Sequence, residues 1–122
     1  MSSPARDRGA ATAELVMVLP ALVAVTLGLV WLLSVGAAQV RTVDAARETA
    51  RAWARGDDGT AAVDRGVRVG PDGTSVSVHS DGDQVVVTAR ARVQGPGGLF
   101  GFLPGVTVHA RAVAATEAGD AP

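Results

Sequence analysis

Between Glu14 and Arg41 lie 26 consecutive residues without a charged side chain. As a helix this run would be about 39 Å long, against a bilayer hydrocarbon core of about 30 Å. It is therefore long enough to cross a membrane, and it leaves room in a chain of 122 residues for one modest additional domain. Glu14 sits at the mouth of the run. An ionisable side chain at the edge of a membrane span is costly unless paired or functional, so its presence there asks for an explanation.

The span is read as residues 10–40, with Pro20 as its one strong helix breaker. Proline removes a backbone donor and clashes with the carbonyl four residues back, which predicts a bend near Val16 that a membrane helix tolerates. Residues 1–9 form a polar leader carrying Arg6, Asp7 and Arg8, with no core to join and the form of a cytoplasmic segment before an apolar run. Beyond the span the helix is expected to continue over 41–56, because "QVRTVDAARETARAWARG" lacks Pro and Gly until Gly56 and is rich in Ala, Arg and Glu. Val43, Ala46, Ala50 and Trp53 recur at three- or four-residue spacing and define one apolar face, suited to packing on a sheet.

After the "GDDGT" loop the period of hydrophobicity changes to two. "TSVSVHS", "QVVVTARARV" and "VTVHARAVA" alternate, separated by the turn-forming "PDG" and "SDGD" and by "GPGGLFGFLPG". Val76 and Val78, Val85 through Val93, and Val106 through Ala114 place an apolar side chain at every second position. Thr88, Arg90, Arg92, His109 and Arg111 fall on the opposite side. The fold class is therefore α+β: one long N-terminal transmembrane helix, continuing as an amphipathic helix, packed on a small antiparallel sheet within 57–116. Leu99, Phe100, Phe102 and Leu103 are expected to cap the core, and residues 117–122 to form a disordered tail.

The rest of the composition limits function. The net charge of −1 argues against a nucleic-acid partner, and with no Cys there are no disulfides, thiolates or Cys-based metal sites. His79 and His109 are isolated strand residues without a cluster of ligands, and the Asp81 to Asp83 stretch lacks the remaining ligands of a calcium loop. No nucleophile elbow or phosphate loop is present. The reading is non-enzymatic, with no cofactor, no metal and no small-molecule substrate.

The segment "RGAATAELVMVLP" resembles the type IV prepilin signal, in which basic residues and a glycine precede an apolar run that carries a glutamate five residues after the glycine. With the span and "VDAARETARAWA" behind it, Arg8 to about Arg55 looks like the TadE family of pilin-like proteins of tight-adherence (type IVb, Flp) pilus systems. The pattern departs at Leu15, where type IVb pilins commonly carry an aromatic. The resemblance implies a minor pilin or pseudopilin, matured by a prepilin peptidase that cuts between Gly9 and Ala10. Glu14 would then serve assembly by pairing with the new amino terminus of Ala10 on a neighbouring subunit. The implied partners are the peptidase, other pilus subunits and the lipid bilayer. The implied location is the cytoplasmic membrane, with the N-terminus inside, the C-terminal part outside, and a surface pilus as the destination after processing. Arginine counting alone, with Arg41, Arg47, Arg51 and Arg55 after the span, would place the C-terminal part inside. Two alternatives remain at this stage: a secreted β protein whose signal peptide is cut near Ala38, and an unprocessed single-pass anchor.

Overall fold

A computed structural model describes residues 4–95 and 105–115. Its elements, in chain order, are helix α1 (Pro4–Ala54), helix α2 (Gly59–Val69) and strands β1 (Ser75–Asp81), β2 (Gln84–Val93) and β3 (Val106–Ala115). The architecture is the α+β arrangement expected, with a long apolar N-terminal helix and a three-stranded antiparallel sheet of order β1-β2-β3. The chain divides into two compact units, Met1–Leu33 and Ser34–Pro122. Leu99 to Leu103, expected to cap the core, and the tail 117–122 lie outside the described residues.

Helix α1 starts at Pro4, inside the segment read from sequence as an unstructured leader. Proline suits the first helical position, where its missing N–H would be unpaired in any case, and the alanines and arginines behind it are good helix formers. The helix assignment runs through Pro20 without interruption. In the first unit most apolar side chains are exposed, from Leu15 and Met17 to Leu32 and Leu33, while Leu27 and Trp31 are half-buried. This helix is long and apolar enough to cross a membrane, by length and composition. It ends as the sequence suggested, beside Gly56. Asp57 N–H bonds the Ala52 carbonyl at 3.1 Å and Gly56 N–H bonds that of Trp53 at 3.0 Å, with Gly56 at φ 85. These two bonds form the Schellman closure, which requires a residue in the left-handed region at this point.

The second unit is built on strand register. Val76 pairs with Ala89 and Val78 with Val87, while Val85, Val87, Ala89, Ala91 and Val93 pair with Ala114, Ala112, Ala110, Val108 and Val106. Every apolar position chosen by period-two reading therefore falls on one face. The β1–β2 hairpin turns through Gly82 and Asp83, with the glycine at φ 60.

Helix α2 was not expected from the sequence, where the "GDDGT" loop was read as leading directly into the period-two strand region. Its eleven residues include Gly59 and Gly66, and only Ala62 and Gly66 are buried. Gly66 explains how so weak a helix is held. A Cβ at that position would fall against Thr49 Oγ1 and 3.0 Å from the Ala45 carbonyl oxygen, so the backbone of α2 rests directly on α1. Arg41 Nη2 adds a donor to the Gly70 carbonyl at 3.2 Å, at the end of α2.

Gly66→Ala is expected to lower the stability of the folded chain by about 1–3 kcal/mol, the usual cost of overpacking. Thr49→Ala in the same chain should recover part of that loss, because it removes the hydroxyl that the new methyl meets. Thermal unfolding of the three variants in detergent, followed by circular dichroism, measures the coupling.

Candidate functional site

The residues singled out by sequence fall in two places, and each is best described within its own unit. Gly9, Ala10, Glu14 and Pro20 all lie on α1 in the first unit, and all are exposed. Ala10 and Glu14 are four residues apart and so share one side of the helix, one turn from each other. Arg6 and Arg8 lie on the preceding turn, and Thr12 Oγ1 donates to the Arg8 carbonyl at 2.8 Å. Glu14 makes no ion pair with any described residue. Among the described residues, its own helical backbone and chain neighbours aside, nothing lies within 4 Å of a Cβ built at Gly9, and the same is true at Gly28 and Gly36. The φ of Gly9 is not positive, so neither backbone conformation nor internal packing calls for a glycine there. A helical glycine without such a reason still costs about 1 kcal/mol relative to alanine.

Val43, Ala46, Ala50 and Trp53 lie on the other part of α1, in the second unit. Ala46 and Ala50 are buried with Val85, Val87, Ala89 and Ala110, and Val43 and Trp53 pack at the margin of the same cluster beside Val76 and Val78. A smaller cluster joins Val35 and Ala38 to Ala91, Val93 and Val108. Gln39 Nε2 donates to the His109 carbonyl at 3.0 Å, fastening the helix to β3. Sequence reading missed the second buried stripe of this helix: Ala38, Thr42, Ala45, Thr49 and Ala52. Their spacing of four, three, four and three was the available signal. They were passed over because alanine and threonine do not stand out on a hydropathy scale. Thr42 and Thr49 are fully buried and satisfy their hydroxyls by donating to Ala38 and Ala45 carbonyls at 2.7 and 3.0 Å.

The charged groups of the second unit are also divided. On the helical side, Glu48 faces Arg51 at 3.6 Å and Arg55 at 3.9 Å, and Asp57 faces Arg55 at 3.4 Å and Arg65 at 3.9 Å. These pairs are solvated and contribute little each. On the open face of the sheet, Arg90, Arg92, His109 and Arg111 are exposed and make no ion pair with a described residue. His79 pairs in register with Val86 and His109 with Arg90, two rows apart on the sheet. Among the described residues no group of three or more His, Cys, Asp or Glu side chains is placed to hold a metal ion.

Comparison with known proteins gives one family and one curated relative. Residues 9–51 match the TadE-like protein family, the one that the Arg8 to Arg55 stretch resembled. This is a family of pilin-like structural proteins, and the match covers the N-terminal helix of this chain. A Mycobacterium tuberculosis protein named as an apoptosis inhibitor is 41% identical over 81 residues, covering 66% of this chain and 58% of the relative. The chain thus spans well under two thirds of that relative's length. No solved structure matches.

Because a methyl at Gly9 meets open space, Gly9→Ala should leave the fold unchanged and slow amide hydrogen exchange through residues 9–13 by about fivefold, the equivalent of about 1 kcal/mol of helix propensity. Exchange measured by NMR in detergent checks this, and unchanged rates would mean that the first turns of α1 are held by something other than local propensity.

Proposed function

With residues 9–51 carrying the TadE-like match, we propose that this chain is a non-enzymatic pilin-like subunit. Its role is that of a minor pilin or pseudopilin in the assembly of a type IVb tight-adherence pilus or a related secretion apparatus. A prepilin peptidase matures it by cutting between Gly9 and Ala10. The observation that carries this reading is where the match begins: at Gly9, and from there it runs without interruption through Glu14 and the apolar span to Arg51.

In this reading residues 1–9 are a cytoplasmic leader, 10–40 cross the cytoplasmic membrane once, and 41–116 lie on the outer side. The scissile bond lies within the first turns of α1, so a protease must unwind them locally before the backbone enters its cleft. Gly9 makes that unwinding easier and presents no side chain to the cleft, which supplies the external reason for a glycine that the folded chain does not need. Pro4, earlier in the helix, places no hydrogen-bond demand on this turn.

Cutting after Gly9 gives Ala10 a positively charged amino group one helical turn from Glu14. Two such charges at the edge of lipid compensate each other when subunits stack, the carboxylate of one meeting the amine of its neighbour. Glu14 is exposed and unpaired within the described chain, as a group reserved for another subunit should be. Packing in the second unit speaks against the signal-peptide alternative. Val35 and Ala38 form a core cluster with Ala91 and Val108, and a cut near Ala38 would remove part of that core.

Gly9→Val is expected to block maturation, because a β-branched residue crowds the bond to be cut and restricts the backbone there. Co-expression with a prepilin peptidase, read by intact mass, should give the uncut form; normal appearance of the Ala10 form would refute the processing site.

Glu14→Ala should leave cleavage intact and abolish incorporation into, or support of, the pilus. Glu14→Gln should be nearly as defective, since an amide keeps the shape and loses the charge. Breaking one partner of a buried ion pair costs about 3–5 kcal/mol, and even 2 kcal/mol lowers docking by more than tenfold. Surface piliation and co-purification with pilus components measure the effect. Wild-type levels in both variants would reduce Glu14 to a helix-terminal charge.

A further inference from the structure

The cationic face of the sheet continues to an open strand edge, and the two features share the same residues. The two-residue hairpin makes Asp81 and Gln84 a hydrogen-bonded pair. Alternation along the ladder then directs the backbone groups of the even-numbered residues of β2 toward β1 and those of the odd-numbered residues toward β3. The partners of those odd-numbered residues are Val106, Val108, Ala110, Ala112 and Ala114. It follows that Thr107, His109, Arg111 and Val113 turn their N–H and C=O groups away from β2. The Gln39 bond to the His109 carbonyl agrees with this, because it reaches that carbonyl from outside the ladder. β3 is an edge strand among the described residues. With His109 held by Gln39, the available edge runs from Arg111 onward.

Side chains decide what such an edge accepts. A strand laid antiparallel against β3 places every second side chain on the open face, directly opposite Arg111 and Val113. Arg111 is exposed and makes no ion pair with a described residue, and Arg90 and His109 stand beside it in the register. On that face of the three strands Asp81, at the hairpin end, is the sole carboxylate. Val113 is 56% exposed and offers an apolar contact in the next position. No Phe, Trp or Tyr lies on the three strands, and His79 and His109 stand two rows apart, so the row of large aromatic rings on which single-stranded nucleic acid stacks is missing. A row of outward backbone donors alternating with acceptors is matched in full by a polypeptide strand, whereas a phosphate group can use only the donors.

We infer that the β3 edge is a docking site for an extended acidic protein segment. The segment adds a fourth strand antiparallel to β3, with a carboxylate opposite Arg111 and, two residues before it, an apolar side chain opposite Val113. Backbone hydrogen bonds along Arg111 and Val113 hold the segment, and the arginine selects its charge. The inference rests on strand register and charge alone and is independent of the pilus reading.

The test uses the full chain in detergent micelles and the blocked peptide Thr-Val-Thr-Glu-Thr as probe. The peptide should shift and protect the Arg111 and Val113 amides in NMR spectra. Arg111→Gln, or glutamine in place of glutamate in the peptide, should each weaken binding by about tenfold, the scale of one desolvated charge-assisted bond. Val113→Pro should abolish binding while leaving the β2–β3 ladder intact, since its N–H faces outward. From the peptide side, N-methylation at the glutamate should abolish binding, and N-methylation at the central threonine should not, which keeps the test valid if Val113→Pro unfolds. No binding, or binding indifferent to both Arg111→Gln and the N-methyl position, overturns the proposal. So does tighter capture of an oligodeoxynucleotide or of phosphatidylglycerol vesicles that depends on Arg111 and is unaffected by Val113→Pro.

Discussion

Three strands with an apolar residue at every second position present one dry face, and covering that face is the condition on which the second unit depends. Among the described residues there is no second sheet. The cover comes from α1, whose Ala46 and Ala50 sit among Val85, Val87, Ala89 and Ala110, and whose Val35 and Ala38 close the far end over Ala91 and Val108. A sheet this narrow gains stability only when its partner approaches closely, because burial per residue is small for Ala and Val. Small side chains on the helix permit that approach, and the same choice lets α2 rest its Gly66 against Thr49. The helix is thus a structural part of the domain as well as the proposed anchor.

The first part of α1 obeys a different rule. Most of its apolar side chains are exposed, from Leu15 to Leu33, and water is a poor solvent for so continuous a surface. A lipid environment or the helices of other subunits satisfies it, and both are consistent with an assembly-related chain. Glycines at 28 and 36 meet open space, which leaves those stretches of backbone accessible to a neighbouring helix.

Legibility in the sequence followed the strength of the periodic signal. Val85 to Val93 and Val106 to Ala114 carry an apolar residue at every second position, so the apolar face was readable from the sequence, while the pairing of its residues across the strands was not. The end of α1 was readable because Gly56 is a residue that its closing hydrogen bonds require. α2 was not. Its two glycines are poor helix formers, and what holds it is contact with Thr49 and Ala45, which no local window contains. Helix α1 begins at Pro4, within the polar leader, because Pro4 suits a first helical position and the residues behind it favour helix. Gly9 and Glu14 are a separate matter. Their spacing is plain in sequence, and among the described residues neither has a side-chain partner, so the fold itself does not test the roles proposed for them.

The largest fully buried side chains are Val85, Val87, Thr42 and Thr49. An interior made of such small groups reverses the ordinary ranking of mutational damage. Truncation to alanine removes at most two methyl-sized groups and leaves a void too small to be very costly, whereas almost any enlargement meets backbone rather than a movable neighbour. Variation in a lineage of such proteins is then channelled outward. The interior then tolerates Ala, Ser, Thr, Val and Gly better than anything larger, and substitution is cheapest on the sheet's open face, where side chains meet only solvent.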